Sequence, residues 1–475
     1  MTLIHRFHKL VSEAASPTPS DLPDRFAFLA VVGLALAAAV LGPNSFSLPP
    51  AGGIYPSAEG LVFDFLAFLA ASAAFVSRTS SRSVRPLAVP LSAAIGLVLL
   101  GVCQLLPLPE GFLQKIASAN LQIYHETAEI LTLFGGARVP AARISIAPRE
   151  TAEAVLQLLG CVAAFLAAAT VLRTRRRRRA LFWTVAVGTL VPLVAAGIAA
   201  ASPSPGAEPL ELLGTTFGLG FFAAMGLFWA EVLTNVDRGA DEIEPGARFE
   251  RRFPPLAVRL LLMAACAAGI ALARSWAAGA AAALAAGVAL TMGLSRRRGE
   301  RSRRLGAAAA AAAGLVLIGT AVLAPPAQAQ PAAVGPQAGD VLRTAIAAWR
   351  RFPVFGAGLG GFPDAFRSVQ PASLVGYVEQ ARSGPVQILV TGGGVGLALA
   401  ALLIVALFVV LGRGWRSQKH REESAFALAG FGALLFWVLE GLADYHVDSA
   451  AISILLAALL GGAWAASQAR GSQAA

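Results

Sequence analysis

Apolar residues along this chain do not alternate with polar ones. They come in runs of about 20, the length a helix needs to cross the hydrocarbon of a bilayer. Such runs fall near 26–42, 61–77, 87–106, 151–172, 180–201 and 215–235, then near 255–273, 276–294, 305–325, 385–411, 425–443 and 449–467. Continuous runs exclude a β-barrel, whose strands alternate. They predict an all-α polytopic membrane protein of about 12 transmembrane helices. A polar tail (1–25) leads into nine spans (26–325), interrupted by a loop near 107–150. A long loop (326–384) precedes the tenth span, and the last three spans and a tail occupy 385–475.

Composition agrees: 56% of the 475 residues are hydrophobic and 14% charged, with a mean hydropathy of +0.67. Soluble domains carry about 25% charged residues, so a soluble enzyme, a secreted disulfide scaffold and a disordered chain are all excluded. Cys103, Cys161 and Cys266 lie inside apolar runs without metal-ligand spacing and read as buried thiols. The first run follows a proline-containing segment with no small-residue cleavage site, so it reads as a span and not as a removable signal.

The net charge of +11 is a matter of topology. Most of the 38 lysines and arginines fall in the two tails and the even-numbered loops: Arg78 to Arg85, Arg173 to Arg179, Arg238 to Arg252, Arg296 to Arg304 and Arg413 to Arg421. Short cytoplasmic loops retain such residues. Both termini are therefore expected in the cytoplasm, and the 107–150 and 326–384 loops outside. The run RTRRRRR reads as a topology anchor on anionic lipid headgroups, with no nucleic-acid partner. Alanine-rich stretches after Ala277 permit close helix packing and carry no chemistry.

The two outside loops are too long to be connectors. In the first, Phe112, Ile116, Ala119 and Ile123 mark an amphipathic helix lying at the interface. In the second, a helix from Val341 carries Arg343, Arg350 and Arg351, stops at Pro353 and opens into a glycine-dense turn with Gly356, Gly358 and Gly360. Arg274 stands at the tight hairpin between spans seven and eight, where it must snorkel or face a polar cavity. Asp64, Glu231 and Glu440 lie in or near spans, where acids are functional candidates unless a neighbouring arginine or polar group pairs with them.

Arg343, the helix with Trp349, and FPVFGAGLGGF together resemble a segment of the bacterial O-antigen ligase and polymerase superfamily. The VQILVTGGGVGLALAALLI span, the LADYHVDSAAISILLAALLGG hairpin with Asp444, and LARSWAAG with Arg274 are similar to further family pieces. QLLPLPEGF and ISIAPRETAEAVLQLLG are weaker ones, and the likeness spans roughly residues 95–465. The family's histidine motif is degenerate. Gln380 and Arg382 stand at its two histidines, Ser383 at its asparagine, and Gln387 is retained. TTFGLGFFAAM keeps Phe217 but lacks the family's asparagine.

The resemblance implies a glycan ligase or polymerase of the bacterial inner membrane. Such a protein moves a saccharide from a polyprenyl-diphosphate donor to a glycan or lipid acceptor hydroxyl, without metal or cofactor. Arginine is suited to a diphosphate leaving group, being planar, permanently charged and bidentate. Arg274 and Arg343 are the clamp candidates, with Arg382 able to join them. No paired acids of DxD type face outside to hold a metal. Arginine cannot act as base, so that role falls to Glu379, Asp444, His446 or Asp448, with His446 between two carboxylates first among them. The alternatives are a non-catalytic lipid-glycan-binding relative or export-complex component, and a secondary transporter, against which the absence of an internal repeat counts.

Overall fold

A computed structural model describes residues 22–41, 58–76, 87–134, 141–201, 211–237, 245–273, 275–295, 338–374, 376–418, 421–443 and 449–468. Among them every regular element is helical. The first half contains α1 (Leu22–Leu41), α2 (Ala58–Val76), α3 (Ala88–Leu105), α4 (Glu110–Ile116), α5 (Ser118–Leu133), α6 (Pro148–Val171), α7 (Arg175–Gly188) and α8 (Leu190–Ala201). The second contains α9 (Glu211–Asp237), α10 (Pro245–Leu272), α11 (Trp276–Ser295), α12 (Ala338–Arg351), α13 (Phe362–Arg367), α14 (Gly384–Ser417), α15 (Arg421–Ala443) and α16 (Ala450–Ser467).

Nine candidate spans among the described residues are long and apolar enough to cross a membrane, and α2 and α10 hold shorter apolar stretches. The protein is a multi-pass helical membrane protein. The predicted span 305–325 lies outside the described residues. Helices also overrun the apolar pattern: α10 begins at Pro245 and α14 continues to Ser417. The span expected near 180–201 is divided at Thr189 into α7 and α8, where Pro192 of α8 has no N–H to bond back to Gly188.

Two helices, α9 and α16, are buried almost throughout the span and form the centre. Around α16 stand α1, α6 and α15; around α9 stand α7, α10 and α15. Small residues set these contacts. A side chain at Gly461 would meet the Phe165 carbonyl of α6, and Gly218 of α9 leaves room for the Phe436 ring of α15. Such close approach lets dispersion and packing hold helices together where lipid removes most of the hydrophobic drive.

The arginine-rich end of the bundle is knitted by ion pairs. Arg178 is 1% exposed; it pairs with Glu423 and donates to the carbonyls of Leu172 (3.0 Å) and Arg173 (2.6 Å). Arg175 and Arg179 meet Glu422, and Arg259 reaches Glu231 at 3.0 Å. These pairs tie α7, α9, α10 and α15 together. The RTRRRRR run is thus partly interior, more than the headgroup anchor its composition suggests. Buried arginines need such partners, because an uncompensated charge there is strongly destabilising. Glu231, one of the near-membrane acids, has an arginine partner. Glu440 accepts a 2.9 Å hydrogen bond from Thr215.

Candidate functional site

At the opposite end the two long loops fold into one polar module. Its core joins Val341, Ala345 and Ala348 of α12 and Phe352 just after it to Phe362 and Phe366 of α13, with Ala119 and Ile123 of α5 packed against them. The interfacial helix predicted through Phe112, Ile116, Ala119 and Ile123 is broken at Ala117, whose φ of −152° leaves the helical region, into α4 and α5. Ala119 and Ile123 join the module, while Phe112 is exposed.

The glycine-dense turn is the centre of this module. It docks into a break in α14, where Gly393 adopts φ +66° inside the helix. The break frees backbone groups, and the turn satisfies them. Ala357 N–H donates to Val390 O (2.9 Å) and Gly358 N–H to Thr391 O (3.0 Å), while Gly394 N–H donates to Pro353 O (2.8 Å) and Val395 N–H to Val354 O (3.2 Å). A side chain at Gly393 would stand 2.2 Å from the Val354 carbonyl, and one at Gly356 2.3 Å from the Thr391 carbonyl. Only glycine allows this approach at positive φ.

Two buried amides lock the arrangement. Gln104, at the end of α3, donates to Phe355 O (2.7 Å) and Thr391 O (3.1 Å) and accepts from Leu359 N–H (3.0 Å). Asn120 of α5 donates to Ile144 O and to Gly356 O (3.2 Å). Tyr124 donates to Ser145 O at 2.7 Å, and burial pushes its phenol up, keeping it a donor. Gln104 heads the QLLPLPEGF piece, where nothing assigns it a role, and Asn120 does not stand out in the sequence, since a single amide at the edge of an apolar run carries no periodic signal.

Beneath the turn runs an apolar cavity of about 300 Å³. Its walls come from α3, α6, α14, α15 and α16, and Leu359 and Gly360 of the turn line its outer end. Polar side chains on the wall are few, chiefly Gln157, Thr391 and Ser453. On α6 the wall residues Ala154, Leu158 and Cys161 share a stripe that continues outward, one turn up, to Glu150. Glu150 adjoins the turn: its carbonyl would be 2.7 Å from a side chain placed at Gly360.

No family model matches the chain, and no curated protein matches it.

Beside Glu150, and not lining the cavity itself, Asp364, Arg367, Tyr377 and Glu379 form one interacting group. The Arg367 guanidinium lies 4.5 Å over the Tyr377 ring. Partial burial and then Glu150 push the Asp364 carboxyl up, with Arg367 opposing. Burial and Glu379 raise the Tyr377 phenol, against the pull of Arg367. Sequence reasoning singled out only Glu379 of this group.

The remaining predicted residues are distributed unevenly. Gly356, Gly358 and Gly360 come together in the turn, all at positive φ. Arg382, exposed and at φ +50°, precedes the start of α14. Its neighbour Ala381 donates its N–H to Gln387 Oε1 (2.8 Å), giving that retained glutamine a structural task. Arg343 stands on the face of α12 opposite Val341, Ala345 and Ala348; it is 85% exposed, with Asp340 3.5 Å away. Arg274, Asp444, His446 and Asp448 lie outside the described residues. A side chain at Gly214 would meet Ser275 at 3.1 Å and Ala273 at 3.7 Å, one residue from the Thr215–Glu440 bond.

Proposed function

We propose that this protein transfers a saccharide from a polyprenyl-diphosphate donor to an acceptor hydroxyl at the periplasmic face of the bacterial inner membrane, with both termini cytoplasmic. The observation that carries this reading is the apolar groove between membrane-spanning helices, capped by a polar module at one end. A long isoprenoid chain suits such a groove, since its apolar walls offer hydrocarbon no polar competition. Its diphosphate head then emerges beside the glycine turn, where the module meets water.

In this reading Arg382, Arg274 and Arg343 neutralise the diphosphate as it leaves, a charge stabilisation that is usually a large part of the catalytic effect. Arg382 leads into the helix that forms one wall of the groove. Arg343 engages only if α12 or the ligand brings its guanidinium in from solvent. His446 beside Asp444 is the base inherited from the sequence reading. Donor sugar and acceptor follow from loop shape, so ligase and polymerase are equal versions of this proposal.

A second reading is favoured by one observation. Gln380 and Arg382 occupy the places of the family histidines, and Gln387 is spent on holding Ala381. A protein that binds the lipid-linked glycan without turning it over fits those residues. The test is purified protein in nanodiscs, given lipid-linked glycan extracted from cells lacking the gene. Release of polyprenyl diphosphate supports transfer, and saturable binding without release supports the second reading. Neither binding nor release removes both.

A further inference from the structure

We propose that the acceptor saccharide docks on the Tyr377–Arg367 stack beside the outer end of the groove, and that Asp364 takes the proton from its attacking hydroxyl. This rests on the glycan-transfer reading, adds to it the acceptor site, and moves the base from His446 to Asp364. Two independent features meet there. The first is the groove, whose outer end at Gly360 fixes where a donor's head would emerge. The second is a mixed set of groups that suits a sugar.

The ring of Tyr377 is 56% exposed and backed by the Arg367 guanidinium. An exposed aromatic face offers the apolar side of a pyranose a flat contact while its phenol stays wet. Glu150, Asp364 and Glu379 are exposed carboxylates that accept hydrogen bonds from hydroxyls. Arg367 donates to ring or hydroxyl oxygens. Three elements supply them: the first turn of α6, the helix α13 four residues after Gly360, and the segment before α14.

Among these acids Asp364 is set apart. Partial burial and the neighbouring Glu150 raise its proton affinity, while Arg367 moderates the rise. Tyr377 faces the same group from the following segment, with Glu379 beside Tyr377. Arg351 of α12 is engaged elsewhere, donating to Ser368 O at 3.0 Å. The step balances simply. The acceptor oxygen forms a bond to the anomeric carbon, and the bond from that carbon to the diphosphate oxygen breaks, its electron pair leaving with polyprenyl diphosphate. The hydroxyl proton passes to the Asp364 carboxylate and then to water.

The test uses full-length protein in proteoliposomes fused with membranes from cells lacking the gene, which supply donor and acceptor. The readout is release of polyprenyl diphosphate across pH. Asp364→Asn is expected to slow release by about 10²-fold or more, with donor binding within about twofold of wild type and partial recovery in Asp364→Glu. Glu150→Gln removes a neighbouring negative charge, so it should move the acidic limb of the pH profile to lower pH. Tyr377→Ala should raise the acceptor level needed for half-maximal rate while leaving kcat nearly unchanged. A purely structural Asp364 would leave the limb unmoved by Glu150→Gln, overturning the proposal. Near-normal release by Asp364→Asn overturns it too, while leaving glycan transfer standing. If wild type itself releases nothing, the transfer reading falls and this base with it.

Discussion

Replacing Gln104 by alanine tests whether the glycine turn is held by the membrane helices or merely rests on them. The side chain has no solvent exposure and makes three hydrogen bonds, to Phe355 O, Thr391 O and Leu359 N–H. Removing it strands the Phe355 carbonyl and the Leu359 N–H in a place water does not reach, while Thr391 O keeps its bond from Gly358 N–H. Each stranded group costs about 1–3 kcal/mol, so the loss from two of them should be about 2–5 kcal/mol once local relaxation returns part of the sum. That is a large share of a total stability of about 5–15 kcal/mol. Gln104→Glu keeps the acceptor for Leu359 but sets a buried carboxylate oxygen against two carbonyls, and should cost at least as much. The assay is thermal unfolding in detergent, read by tryptophan fluorescence, together with the rate of protease cleavage within 338–383. Both should change, because Trp349 belongs to the module whose anchor is removed. A loss below about 1 kcal/mol, the value of one ordinary hydrogen bond, would refute the idea that this amide joins groove and module.

Gly393→Ala should destabilise comparably and increase cleavage in the same region, because its new methyl would press on the Val354 carbonyl from a backbone at φ +66°. Glu423→Ala leaves the buried Arg178 without its carboxylate and should cost about 3–5 kcal/mol, seen as a lower unfolding temperature; a near-neutral result would mean that the arginine escapes to water. Arg343→Ala should leave stability within about 0.5 kcal/mol because the side chain is exposed, so any weakening of donor binding in that variant reports on the diphosphate and not on folding. Impermeant thiol labelling of intact cells should modify Ser373→Cys and spare Arg176→Cys, and the reverse would overturn the orientation drawn from the basic residues.

Much of the bundle was legible because a membrane span is a local property. Val386 to Leu411 announces itself by composition alone, and its helix follows. What the pattern could not show are relations between distant residues. Nothing near Gln104 points to Phe355, 251 positions away, and nothing in GAGLGG says that its partners are the carbonyls of a broken helix. TGGG in an apolar run reads as tolerated flexibility until the turn is seen threaded against it. The arginine run misled in a similar way. A row of five successive arginines is indistinguishable, by charge, from a solvated anchor, and only the register of α7 sends Arg178 inward while Arg175 stays at the surface. At the candidate site the glycines and the lead into α14 were visible. Asp364, Arg367 and Tyr377 were not, since each is an ordinary polar residue until the fold brings them into one group.

The break in α14 also gives biogenesis an order. Until Pro353 to Gly358 dock, the carbonyls of Val390 and Thr391 and the N–H groups of Gly394 and Val395 have no partner within the helix. In hydrocarbon each such group costs several kcal/mol, so α14 on its own is a poor passenger for the insertion machinery. The chain places its remedy upstream. The turn is synthesised about 35–40 residues before the break it fills, and Gln104, which fastens both, comes earlier still. In the proposed orientation, translocation of the 338–383 segment therefore precedes completion of α14, and a stall in exporting that segment would leave α14 half-inserted and open to quality-control proteolysis.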